Sequence, residues 1–213
     1  MFKLIKFFLL LLSLSFSSAQ SNNKVKRFAF CLEAEGTIFR EGLSRNGNLL
    51  KGDVIYENDK ITVGENSYVS FLNTFERSEV RLFENSSIKI LEPNSQSIKS
   101  EEVHQIVIFG GKVIIDKVEL NDKALIVTSP SSSVFSKNSH FLVEFRSKPL
   151  YDQFSYCIFT LLKGNILVEN LDSKKMIFLN SGETIVSTKD GKFYPLETFR
   201  DGINIDNAFS DRN

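Results

Sequence analysis

The sequence predicts an all-β protein, an antiparallel β-roll or sandwich of many short strands in two layers. Three observations predict it. Residues 51–90 string short apolar-alternating runs between turn residues at Gly52-Asp53, Asn58-Asp59, Gly64 with Ser67, and Asn85-Ser86-Ser87. Such regular punctuation suits a sheet and has no use in a helix. Segments beginning at Gly52, Gly111 and Gly164 each run from a glycine into an aliphatic strand and then, after a polar turn, into a second apolar strand. Their unequal spacing fits stacked hairpin units better than a strict solenoid. Twenty Phe and no Trp, with Val, Ile and Leu, supply a core built largely on Phe.

The elements follow in order. Residues 24–40 alternate Phe28, Phe30, Leu32 and Ala34 against Ala29, Cys31, Glu33 and Glu35, a half-buried strand that turns at Gly36. Asn46-Gly47 marks a turn. Short strands follow at 54–56, 60–63, 68–73, 79–83 and 87–91. The polar run 93–100 breaks the series and reads as a sub-boundary between two β-layers. Further strands are expected at 101–109, 112–118, 124–128, 141–146, 154–162, 166–170, 176–179 and 184–187. Residues 196–213 read as a polar C-terminal tail, leaving 20–195 as the β-domain.

Residues 1–19 read as an export signal. Lys3 and Lys6 form a basic start, residues 7–16 (FFLLLLSLSF) a short apolar core, and Ser17-Ser18-Ala19 a cleavage site before Gln20. A membrane span needs about twenty apolar residues, more than this core offers. The expected location is therefore periplasmic or secreted, with no transmembrane segment after cleavage; the alternative is retention of the signal as an anchor. Without the two leader lysines, 26 basic residues become 24 against 26 acidic, a net charge of −2. Interspersed signs near neutrality give no footprint for nucleic acid.

Cys31 and Cys157 each sit in an expected strand. An oxidising compartment permits them to pair, and the alternative is two buried free thiols. His104 and His140, the chain's two histidines, lack the spacing of a metal site, and no Cys-x-x-Cys occurs. No Gly-x-Ser-x-Gly elbow and no phosphate loop is present, since Gly110-Gly111-Lys112 lacks the flanking Gly and Ser/Thr. The expectation is a protein that is not an enzyme and carries no cofactor or metal.

A series of motifs runs through residues 33–190. It comprises Gly52-Asp53-Val54-Ile55, residues 61–64 with Ser67, residues 76–82, Gly111-Lys112-Val113, Thr128-Ser129-Pro130, residues 137–141, residues 162–166 and Ser181-Gly182-Glu183. In this order they resemble the FecR-like extracytoplasmic domains. Arg77 stands where that family prefers Gly, Asn138 replaces a second motif Gly, and Lys137 stands for an Arg. The resemblance implies a stand-alone exported module that binds or scaffolds other proteins of the envelope. Two loops would carry specificity, with Phe75, Glu76, Arg77 in one and Lys137, Asn138, His140 in the other, and an open sheet edge could accept an added strand. The alternative is a carbohydrate or cell-wall binding module, which a groove lined by Tyr and carboxylates would favour.

Overall fold

Among the described residues, short runs of β-branched and aromatic residues, broken by Gly, Asn and Asp, fold into seventeen strands. The computed structural model describes residues 25–93, 103–117, 123–147, 155–197 and 199, so the signal reading of 1–19 lies outside it. In chain order the strands are β1 (Arg27–Glu35), β2 (Ile38–Glu41), β3 (Gly47–Asn48), β4 (Val54–Tyr56), β5 (Lys60–Val63), β6 (Tyr68–Asn73), β7 (Ser78–Leu82) and β8 (Ser87–Leu91). They continue as β9 (His104–Lys117), β10 (Leu125–Thr128), β11 (Ser132–Ser136), β12 (His140–Arg146), β13 (Tyr156–Lys163), β14 (Asn165–Asn170), β15 (Met176–Asn180), β16 (Thr184–Thr188) and β17 (Phe193–Pro195).

The strands form two sheets joined by β9. One runs β4-β1-β6-β7-β9-β12-β13-β16-β17 and uses the second half of β9. The other runs β3-β2-β5-β8-β9-β10-β11-β14-β15 and uses its first half. The common order shows the logic. The chain is a meander of long strands bent double: β1 with β2, β5 with β6, β7 with β8, β9 alone, β11 with β12, β13 with β14, and β15 with β16. One half of each lies in each sheet, and the core is what the two halves enclose. Phe71, Val80, Leu82, Ile106, Ile108, Val113, Phe141 and Phe159 are all fully buried in it. The all-β, two-layer expectation is met.

Glycines make the bends. Gly36, Gly111 and Gly164 turn β1 into β2, the first half of β9 into its second, and β13 into β14, all at positive φ. A serine hydroxyl from the neighbouring bent strand packs against each: Ser67 on Gly36, Ser86 on Gly111 and Ser139 on Gly164. Each serine also holds the backbone of the residue after the glycine. The Thr37 amide donates to Ser67 Oγ at 2.8 Å, the Lys112 amide to Ser86 Oγ at 2.9 Å, and Ser139 Oγ donates to the Asn165 carbonyl at 2.6 Å. All three serines sit in an Asn-Ser pair: Asn66-Ser67, Asn85-Ser86 and Asn138-Ser139. The first two corners share one end of the sandwich, whereas the register His140↔Asp116 and Phe145↔Gly111 puts the third at the opposite end.

The structure departs from the sequence reading at several places. Residues 94–100 of the expected sub-boundary lie outside the described residues, and β8 and β9 on either side of them are hydrogen-bonded neighbours in one sheet. β9 and β10 pair in parallel, with Leu125 level with His104. The bend explains this: β9 ends in the other sheet, at the end where it began, so the returning chain must run alongside it. β11 was not expected, since Ser132 and Ser136 point inward and remove the apolar alternation. In β1 a bulge between Arg27 and Ala29 buries Phe28, Ala29 and Cys31, and leaves Phe30 and Leu32 each 38% exposed. One inserted residue moves the following side chains to the other face, until a second irregularity between Cys31 and Glu33 returns Ala34 toward the core.

Candidate interaction surfaces

The two loops expected to bind a partner lie at the same end of the sandwich. Ser78 pairs with Lys117 and His140 with Asp116, so residues 75–77 and 137–140 flank the tip of β9. Their side chains divide into two kinds. Arg77, Lys137 and Asn138 are exposed, and His140 is half-buried with Nδ1 3.8 Å from Asp116 Oδ1. Phe75 and Glu76 point inward and serve the fold.

Asn73 directs that loop inward. Its side-chain oxygen accepts the amides of Phe75 and Glu76 at 2.8 and 3.0 Å, an Asx-type turn. Glu76 is thereby buried against His104, with Oε1 2.7 Å from Nδ1, while Glu57 Oε1 lies 3.3 Å from Nε2. The His104 ring meets Phe75 and Phe28 edge-on, at 4.8 and 5.3 Å between centroids. Lys123 Nζ caps the other face of the loop, 3.2 Å from the Phe75 ring centroid. Burial by itself would push the imidazole down. The hydrogen bond and charge of Glu76, then those of Glu57, outweigh it and hold His104 above its ordinary 6.5. As an imidazolium, His104 donates to both carboxylates and ties β4, β6 and β9 together. Glu57 and His104 escape sequence reading because they lie 47 residues apart.

Arg77 takes the positive φ that its position demands, at 57°. A side chain there costs up to about 1 kcal/mol relative to Gly. Arg77→Gly should therefore raise the denaturant midpoint slightly at unchanged slope, and a fall of more than about 1 kcal/mol would show that Arg77 contacts outweigh the strain.

The cysteines stay apart as free, buried thiols. Cys31 in β1 and Cys157 in β13 are separated in their sheet by β6, β7, β9 and β12, well beyond bridging distance. Burial, then the charge of Asp53, pushes Cys31 up to about 11, and burial pushes Cys157 up to about 12. A thiol-reactive maleimide at neutral pH should label neither until the protein unfolds; rapid labelling of the native protein would contradict this burial.

Two surface features remain. At the corner shared by Ser67 and Ser86, a shallow groove is lined by Asn66, Tyr68, Phe83, Glu84, Lys112 and Glu144. The Tyr68 and Phe83 rings meet edge-on at 5.7 Å, and Lys112 Nζ lies 5.3 Å from the Phe83 centroid. The second feature is β15, the last strand of its sheet among the described residues. Its sequence MIFLN carries no charge and no proline, the usual means of blunting an edge. Phe178 is 72% and Met176 60% exposed. Phe178 begins a cross-strand apolar row through Leu167 of β14, Phe135 of β11 and Ile126 of β10. On the other sheet, Phe199 packs against the face turned away from the main core, 4.8 Å from Tyr156 of β13 and 6.1 Å from Tyr194 of β17.

Among the described residues, no three His, Cys, Asp or Glu are grouped to hold a metal, and no helix is long and apolar enough to cross a membrane. No family model and no curated protein matches the chain. Two crystal structures of candidate anti-sigma factors from Parabacteroides distasonis resemble the fold. One, at 13% identity and TM-score 0.47, covers 63% of this chain and 57% of its own. The other, at 13% identity and TM-score 0.48, covers 71% of each. The chain thus spans little more than half of the first. At these values the likeness carries no activity or partner over to this protein.

Proposed function

We propose that the protein is a non-enzymatic module of the cell envelope, periplasmic or secreted, that engages a protein partner by accepting a strand along β15. The carrying observation is the edge itself, uncharged and with Phe178 72% exposed. Backbone bonding along such an edge supplies affinity, and alternate side chains supply specificity. The corner holding Lys137 and Asn138 lies beside the Asn180 end of β15, since Asn138 O faces Gly164 and Ser181 Oγ donates to the Gly164 carbonyl. These two residues would read the partner's flank. Phe75 and Glu76 would act only through the rigidity of their loop. The FecR-like motif order agrees with a signalling or scaffolding role.

A photoreactive side chain placed at 178 in cells tests this, with one at 39 as control. Phe39 is 41% exposed on the same sheet, far from β15. One protein captured repeatedly at 178 and not at 39 supports the reading, and bulk capture at both positions contradicts it. The groove of Tyr68, Phe83, Glu84 and Glu144 favours a second reading, a glycan-binding module, because aromatic rings beside carboxylates are what sugars use. Peptidoglycan and glycan pull-downs with Tyr68→Ala as control decide it.

A further inference from the structure

The backbone of β15 alternates in a way that specifies which groups its open side offers. Lys175 directs its carbonyl to the Asn170 amide on the β14 side. Asn180 instead gives its amide to Glu183 Oε2 at 2.6 Å and accepts the Glu183 amide at 3.0 Å. In an antiparallel ladder such directions alternate residue by residue. Ile177 and Leu179 therefore bond to β14, while Met176 and Phe178 turn both N–H and C=O to the open side.

An ideal occupant is thus a strand with a bonding residue opposite Phe178, an apolar side chain on the same face and no charge at its centre. β15 itself meets those terms. About a two-fold axis through Phe178, the two Phe178 residues exchange N–H···O bonds, and Met176 of each copy lies opposite Asn180 of the other. The charges agree as well. Lys174 and Lys175 precede the strand and Glu183 follows it, so antiparallel pairing sets the lysines of one copy against the glutamate of its partner, with Lys174 level with Gly182. Parallel pairing would set like charges together. The apolar row of each copy, from Ile126 to Phe178, then continues into the other across the join.

We infer that β15 pairs antiparallel with β15 of a second copy, joining two molecules edge to edge into a homodimer with a continuous sheet. This rests on the strand-addition reading above and names the strand. Isologous two-fold pairing is the commonest way for a surface to complement itself.

Sedimentation equilibrium of the full chain over a wide concentration range, alongside disulfide trapping, tests it. A concentration-dependent dimer is expected, weakened at least tenfold by Phe178→Lys, which places two like charges opposite each other, and unchanged by Phe39→Lys. Phe178→Cys should form a disulfide-linked dimer under mild oxidation, because the Cα atoms of a hydrogen-bonded pair, about 5.5 Å apart, suit a disulfide. Asn180→Cys should not, since its opposite residue is Met176. The native Cys31 and Cys157 are buried and stay silent. A chain that remains monomeric throughout, or equal trapping of both cysteine variants, overturns the inference. If a photoreactive residue at 178 still captures a different protein in cells, self-pairing fails while strand addition stands. If it captures nothing specific, both fail.

Discussion

Replacing His104 by Ala is expected to destabilise the fold by about 3–5 kcal/mol, the usual consequence of removing one partner from a buried ionic cluster. The loss comes from what is left behind: Glu57 and Glu76 are both buried, and without the imidazolium two carboxylates face each other's charge in the interior. Glu76→Gln should cost less, since Gln can still bond to the ring. The effect carries a pH signature with a definite sign. The folded His104 titrates above its ordinary 6.5, so its stabilisation is complete below the unfolded value and is lost as pH rises through the folded one. Stability to urea should thus fall as pH rises from about pH 6 through the raised folded value of His104, and His104→Ala should flatten that decline. A variant within 1 kcal/mol of the parent, or one with the parent's pH slope, would show that the cluster contributes nothing of the kind.

Gly111→Val is expected to be the most damaging substitution at a corner. Its φ of +80° disfavours any Cβ, and that Cβ would meet the Asn85 carbonyl oxygen at 2.8 Å as well as the Ser86 backbone and hydroxyl. Backbone strain and overpacking together come to about 3 kcal/mol or more, enough to lower the melting temperature by roughly 6–12 °C in a domain of this size. Gly52 is the control. It also has positive φ, at +87°, yet a Cβ there meets nothing within 4 Å, so Gly52→Ala should cost about 1 kcal/mol. Equal losses at the two sites would argue that φ alone matters and that the serine clamp does not.

Strand positions were largely legible because β-strands with one face in a core alternate, and most of this chain's strands do. What escaped was whatever broke that alternation for a physical reason. β11 buries Ser132 and Ser136, with Ser132 Oγ donating to Ser187 Oγ at 2.7 Å and the Asn170 amide reaching the same oxygen at 2.9 Å. A polar network satisfied inside the core looks like a loop in sequence. Gly110-Gly111 looks like a break and is a bend, because one positive φ redirects a strand without ending it. The candidate loops were legible as places but not as roles. Nothing local tells that Glu76 turns inward, since His104, its partner, lies 28 residues away. The clearest surface signal was in plain view in Met176, Ile177, Phe178 and Leu179, a strand apolar on both faces where a solvated edge should alternate.

Strand addition at β15 depends most on that edge offering free backbone groups. Amide hydrogen exchange along β15, measured residue by residue at low protein concentration, tests this directly. Slow exchange at Ile177 and Leu179 with fast exchange at Met176 and Phe178 is the predicted pattern, with the latter two becoming protected as concentration rises. Amides at Met176 and Phe178 as slow as their neighbours in the dilute monomer would mean that the edge is already covered, and would contradict strand addition there.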